Sequence, residues 1–248
     1  MLLSFFLVPL VYASFAAVVA FAIAPLQYLK IIRQETASSY SSIFFCAFEK
    51  GGAAIGIFFG GAIPYVTMNF LANLSFGFSD RISEIVLPVQ YGILVGIFVR
   101  AFLGGAIETL FTIYPEVREI VRNKGDLAVG KGRVLSILFP AFLRNSVAWL
   151  GATSSYEIST RLFLSLDKSL FLSVVLGLVF GVISIPLDVL VTQNCAAREE
   201  LPLLRRVLLV ATDSSSKFFL GSTIRILQIS IYTAVTVSTT FILRYFGI

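Results

Sequence analysis

The chain has 248 residues, of which 57% are hydrophobic and 13% charged, and its mean hydropathy is +0.91. Soluble domains are about half apolar and roughly a quarter charged, so this composition excludes an ordinary soluble domain and predicts an integral membrane protein. The sequence contains no histidine and two cysteines, Cys46 and Cys195. This excludes the usual zinc, haem and Cys/His nucleophile sites. We therefore expect free thiols, no metal, no cofactor and no enzymatic activity.

Six apolar stretches long enough to cross a bilayer follow one another along the chain. They lie at about 4–30, 53–78, 88–114, 134–156, 163–187 and 218–246. Their continuity predicts an all-α protein with six spanning helices, because strands of a membrane barrel would alternate over about ten residues. No Lys or Arg precedes the first stretch and no strong cleavage signal follows it, so we expect a spanning helix rather than a secretory signal.

The basic residues concentrate on one side of the predicted membrane. We call side A the side reached after spans 1, 3 and 5, and side B the other. Side A carries 12 of the 19 basic residues: Lys30, Arg33, Lys50, Arg118, Arg122, Lys124, Lys131, Arg133, Arg198, Arg205, Arg206 and Lys217. Side B carries only Arg81, Arg161, Lys168 and Arg244. Because positively charged loops resist export, side A should face the compartment from which the protein is inserted.

The long side A segments also contain short amphipathic stretches. They are seen in 41–50, with four apolar or aromatic residues, and in 201–210, where Arg205 and Arg206 interrupt an aliphatic run. Such stretches predict helices that lie in the membrane interface. Glycines spaced by four, such as Gly56 with Gly60 and Gly177 with Gly181, indicate close packing of helices rather than a phosphate-binding loop.

Three prolines recur in equivalent places. Pro25, Pro115 and Pro186 each lie near the side A end of an odd-numbered span. A proline removes a backbone donor and kinks a helix. Three equivalent kinks predict an internal repeat whose helix ends converge on a common axis.

The segments around these prolines resemble the signature of the mitochondrial carrier family, Pro-x-[Asp/Glu]-x-x-[Lys/Arg]. The third repeat matches best, with Pro186 followed by Asp188. The first repeat keeps Lys30 but has Gln27 in place of the acid, and the second has Val117 and Ile120 at the two charged positions. The departures leave one charged pair, Lys30 with Asp188, at the side A end.

The even-numbered spans resemble the family as well. Pro140 to Arg144, followed by Tyr156 and Glu157, fits the family's Pro-x-x-x-Arg segment and its aromatic-acid pair. Pro64 to Met68 is a weaker copy, and Gln228 lies in a weaker one again. The resemblance covers nearly the whole chain.

The resemblance implies a single domain over 1–248, made of three two-helix repeats at about 1–85, 86–162 and 163–248, in a pseudo-threefold bundle with short amphipathic helices on one side. It implies a side A gate of Lys30, Asp188 and Gln27. At side B it implies a second gate, for which solvated charges in short turns are the alternative; its residues are Arg81, Glu84, Glu157, Arg161 and Arg244.

By the same resemblance, substrate contacts lie midway through the bundle on the even helices. The matching positions are Met68, Asn69, Arg144, Asn145 and Gln228. Ionised side chains within spans mark a water-filled cavity or a partner, which adds Arg225, Arg100 and Glu108 to the expected lining. The alternative for Arg144 is that it reaches the side A interface or pairs with Glu108.

Two functions follow as expectations. The first is a carrier that exchanges a small anionic metabolite, a carboxylate, keto acid or nucleotide, by alternating access, because guanidinium groups bind such anions bidentately. The resemblance implies a monomer in the mitochondrial inner membrane, with another organelle or the outer membrane as alternatives. It implies membrane lipid, including cardiolipin, as a partner, and no nucleic acid. The second function is a membrane scaffold or insertase that no longer transports.

Overall fold

The computed structural model describes residues 2–86, 92–130, 132–162, 165–197 and 201–232. Within these ranges the chain forms helices joined by short segments, and no strand. The helices are α1 (Leu2–Thr36), α2 (Tyr40–Phe48), α3 (Ala54–Phe59), α4 (Ala62–Val86), α5 (Ile93–Lys124), α6 (Val134–Arg161), α7 (Leu166–Ile183), α8 (Ile185–Asn194), α9 (Leu203–Asp213) and α10 (222–232). The all-helical prediction is confirmed for the described residues.

Several helices are long and apolar enough to cross a membrane. Within the described residues, four stretches meet both criteria: Pro9–Thr36, Gly51–Ser75, Ile93–Leu127 and Val134–Ser155. The pair Asp167–Ile183 and Ile185–Asn194, bent by 45°, makes a fifth if it is counted as one broken span. A multi-pass membrane protein is therefore supported, although the predicted span at 218–246 is described only as far as residue 232.

The prolines act differently in different helices. Pro25 and Pro115 lie inside α1 and α5, which continue past them to Thr36 and Lys124. The prediction that the third span ends at 114 is therefore wrong, because one missing backbone donor does not stop a helix that neighbouring helices hold in place. Pro186, in contrast, lies in the first turn of α8, where the chain bends by 45° after α7.

Two of the predicted amphipathic helices form, and a third does not. Helices α2 and α9 form where they were predicted, and α2 exposes Phe44, Phe45 and Phe48. Between α5 and α6 the described residues contain only a single 3-10 turn, Gly125–Leu127. The expectation of an amphipathic helix in every side A segment is therefore wrong for this one, because the longer α5 uses up the residues that would form it.

The long helices pack on their neighbours in chain order. Helix α4 packs between α1 and α5, and α6 packs between α5 and α7. Helix α10 lies near α1 and α7, because Gln228 bonds to Gln27 and a Cβ at Gly181 would lie 2.5 Å from Ile229. Helices α5 and α6 approach closely at two glycines: a Cβ at Gly104 would lie 2.4 Å from the indole of Trp149, and one at Gly105 would lie 2.4 Å from Ser146 Oγ.

Candidate functional site

A polar cavity of about 110 Å³ lies inside the bundle. A single water needs roughly 10–15 Å³ of such space, so the cavity has room for several waters or a small solute. Side chains from α1, α4, α5, α6, α8 and α10 line it: Gln27, Lys30, Met68, Asn69, Ala72, Glu108, Thr112, Glu116, Glu119, Ile120, Arg144, Asn145, Ala148, Asp188, Thr192 and Arg225. Six helices thus bring together residues that are up to 198 positions apart (225 − 27).

Arg144 contacts three other residues of this lining. Its guanidinium pairs bidentately with Glu116, and one of the two bonds, from Nη2 to Oε2, is 3.0 Å long. Its Nη1 also lies 3.4 Å from Asp188 Oδ1, and its Nη2 donates to Asn145 Oδ1 at 2.9 Å. The expected alternatives for Arg144 are both wrong: it is 7% exposed, so it does not reach the interface, and its partner is Glu116 rather than Glu108.

Glu108 lines the cavity as expected, but its partner is a tryptophan. Trp149 Nε1 donates to Glu108 Oε2 at 2.7 Å. Arg100, eight residues and about 12 Å of helix earlier on α5, is not among the residues that line this cavity.

The predicted pair of Lys30 and Asp188 is present. Lys30 Nζ lies 2.9 Å from Asp188 Oδ2, and both side chains are buried. Gln34 donates to the same oxygen at 3.0 Å and accepts from Thr192 at 2.8 Å. This cluster ties α1 to α8 at the side A end of the cavity.

Lys30 with Asp188 is the one ion pair between signature positions among the described residues, as expected, and other charged contacts close the same end. Gln27, at the position where the family signature has an acid, donates to Glu119 at 3.1 Å. Lys124 pairs with Glu35 at 2.8 Å. Together with the pairs of Arg144 with Glu116 and of Lys30 with Asp188, these contacts cross-link α1, α5, α6 and α8.

Two of these acids, Glu116 and Glu119, were missed by the sequence analysis. Each lies one residue before a signature position, and those positions hold Val117 and Ile120, which are buried in an apolar cluster with Ile137. The helix therefore turns the preceding residues toward the cavity. A search for acids within an α5 that continues past Pro115 would have found them, because buried acids within a span need a partner or a cavity.

Most of the remaining predicted substrate-contact residues line the cavity. Met68, Asn69, Asn145 and Arg225 line the cavity. Gln228 does not; it is 1% exposed and donates to Gln27 Oε1 at 2.9 Å and to Tyr65 Oη at 3.3 Å. Gln228 therefore holds the lining residue Gln27 in place and does not itself face the cavity.

The predicted side B gate lies outside the described side chains. The backbones of Arg81, Glu84, Glu157 and Arg161 belong to α4 and α6, but their side chains, and all of Arg244, are outside the described part of the structure. Within the described ranges, no group of three or more acids or thiols is placed to hold a metal ion.

Comparison with models of known protein families and with curated proteins finds no match for this chain. The chemistry of the site therefore follows from its own geometry. Its lining carries three basic groups, Lys30, Arg144 and Arg225, and four acids, Glu108, Glu116, Glu119 and Asp188. Such a lining, inside an apolar bundle, can exchange its internal ion pairs for contacts with a small polar solute.

Proposed function

We propose that this chain is a divergent member of the mitochondrial carrier family that moves a small anionic metabolite across a membrane by alternating access. The observation that carries the proposal is the charged cavity inside an apolar helix bundle. A charge within the bilayer is costly unless it faces water, a partner or a substrate, so buried charges within spans indicate a solute or ion path.

Arg225 supports an anionic substrate. It lines the cavity, and its buried Nε has no hydrogen-bond partner within the described residues. A buried donor without a partner costs about 1–3 kcal/mol, which an incoming carboxylate or phosphate oxygen would recover. Lys30 and Arg144, in contrast, are already bonded to Asp188 and Glu116.

Arg144 would contribute a second contact once the side A end opens. Glu116 holds it with a carboxylate in the bidentate geometry that a substrate carboxylate would use. Glu116 therefore occupies the guanidinium in the manner of a substrate group. Opening of the side A end would break this ion pair and leave Arg144 and Asn145 facing the solute.

The order in which the helices pack supports an arrangement of three two-helix repeats. The pairs α1 with α4 and α5 with α6 pack directly, and α10 contacts both α1 and α7. This order suits a bundle of three helix pairs that opens to either side around a central site. The proposed host is the mitochondrial inner membrane.

The proposal is tested by uptake into liposomes that contain the purified protein. We expect labelled malate, 2-oxoglutarate or ATP to enter faster than into empty vesicles, and Arg225→Ala to reduce that uptake at least tenfold. Lys168→Ala, which changes an exposed residue on side B, is the matched control and should leave uptake unchanged. If none of the three solutes enters above the empty-vesicle rate, the carrier proposal fails and the scaffold or insertase alternative is favoured.

A further inference from the structure

The four acids of the cavity are held in two different ways. Asp188 and Glu116 each contact a cation, Lys30 and Arg144 respectively. Glu119 forms no salt bridge within the described residues and is 1% exposed. Glu108 accepts from the indole N–H of Trp149 at 2.7 Å and is less buried than Glu119. Only the first two acids therefore have a direct counter-charge.

The partners of Glu119 are neutral amides. Its Oε1 accepts from Gln27 Nε2 at 3.1 Å and from Asn123 Nδ2 at 2.7 Å. Gln27 is itself held by Gln228, which donates to Gln27 Oε1 at 2.9 Å. Both bonds use the same carboxyl oxygen, and the other oxygen accepts no hydrogen bond within the described residues.

None of the cations around Glu119 forms an ion pair with it within the described residues. The titratable and charged groups from the elements around the cavity are Lys30 of α1, Tyr65 of α4, Glu108 and Glu116 of α5, Arg144 of α6, Asp188 of α8, and Arg225 and Tyr232 of α10. Lys30 is the basic group whose charge acts on Glu119, but its Nζ donates to Asp188 Oδ2 rather than to Glu119.

Counting the charges of the lining leads to the same conclusion. Three basic groups face four acids, so the lining is neutral when one acid holds a proton (+3 against −3). An uncompensated carboxylate deep in a low-dielectric interior is strongly disfavoured, whereas its neutral acid is not. Among the acids, Glu119 is both the most buried and bonded only to neutral donors.

We propose that Glu119 binds a proton while the side A end is closed and releases it to water when that end opens, so that solute movement is coupled to proton movement. This rests on the proposed carrier function. The step needs no other reactant: the carboxylate takes a proton from water on one side of the membrane, and the carboxylic acid returns it to water on the other. Opening at side A would separate Gln27 of α1 from Glu119 of α5 and hydrate the carboxyl.

The proton itself is tested without transport. Infrared spectra of the purified protein at neutral pH should contain the carbonyl stretch of a protonated carboxyl, and Glu119→Gln should remove that band. Glu49→Gln, at an exposed acid just after α2, is the matched control and should leave the band in place. A band that survives Glu119→Gln, or that is missing from the unmodified protein, would overturn the proposal.

The coupling is tested in liposomes with whichever of malate, 2-oxoglutarate and ATP is taken up. A gradient of one pH unit should change accumulation by up to about tenfold for one coupled proton. Glu119→Gln should reduce the ratio of accumulation with and without the gradient to unity, while Glu49→Gln keeps it. Uptake by the unmodified protein that ignores the gradient would overturn the coupling. Absence of any uptake would overturn the carrier function, and the infrared result would still decide whether Glu119 holds a proton.

Discussion

The two faces of α5 are built from opposite kinds of residue. The inner face buries Thr109, Thr112 and Glu116, whereas the outer face exposes Leu110 and Tyr114, at 74% and 58%. A soluble helix would place these residues the other way round, with its apolar stripe toward the core. The inward side also buries Ile113, Val117 and Ile120, so an apolar contact lies beside the polar lining, while the exposed apolar residues of the outer face suit contact with lipid.

The two faces also differ in the interactions that they make. Inner positions act through specific ion pairs and hydrogen bonds between helices, and these depend on each partner. Outer positions act through apolar contact with lipid, which many side chains can supply. Substitutions on the two faces should therefore have very different effects, and three unfolding measurements test that contrast.

The largest effect is expected on the inner face at Arg144. Arg144→Met leaves Glu116 buried without its counter-charge, which typically costs about 3–5 kcal/mol. The measurement is thermal unfolding in detergent. The double variant Arg144→Met with Glu116→Gln should recover most of the loss, because no buried charge is then left unpaired at that pair. A double variant as unstable as the single one would mean that the ion pair is not what the bundle needs.

A smaller effect is expected where α5 meets α6. A methyl group at Gly104 would lie 2.4 to 2.6 Å from three atoms of the Trp149 ring, so Gly104→Ala should cost about 1–3 kcal/mol by overpacking. Gly56→Ala is the matched control, since nothing lies within 4 Å of its Cβ position. Equal unfolding temperatures for the two variants would contradict the close approach of α5 and α6.

The smallest effect is expected on the outer face. Leu110→Ala removes apolar contact with lipid but creates no cavity between helices, so its unfolding free energy should change by less than about 0.5 kcal/mol. The measurement is the same unfolding experiment, and Ile113→Ala, at a position 6% exposed on the same helix, is the comparison. We expect the buried isoleucine to cost about 2–5 kcal/mol. A larger loss at Leu110 than at Ile113 would reverse the assignment of the two faces.

Much of this arrangement could be predicted from the sequence. The apolar stretches predicted the helices, because any segment long enough to cross lipid must satisfy its own backbone bonds. The pairing of Lys30 with Asp188, 158 residues apart, came from the resemblance and is present at 2.9 Å. Arg144 was expected in the interior because a lone charge in an apolar run has few other places to go.

Other parts of the site could not be predicted, for physical reasons. The end of α5 depends on the neighbours that hold it past Pro115, and only that extension makes Glu116 and Glu119 part of the interior. The partner of Arg144 depends on how α5 and α6 are rotated, which spacing along one helix does not determine. For the same reason Glu108 was a reasonable partner on sequence grounds and a wrong one in the structure.

The proposed carrier function requires the cavity to open in turn to each side of the membrane. Ala72, a small lining residue of α4, can report this as Ala72→Cys in a protein whose Cys46 and Cys195 are replaced by serine and alanine. We expect a membrane-impermeant thiol reagent to label this cysteine from either side of oriented vesicles, and not to label Val18→Cys, which lies on an outward-facing, 69% exposed position. Labelling of Ala72→Cys from one side only, or from neither, would contradict alternating access.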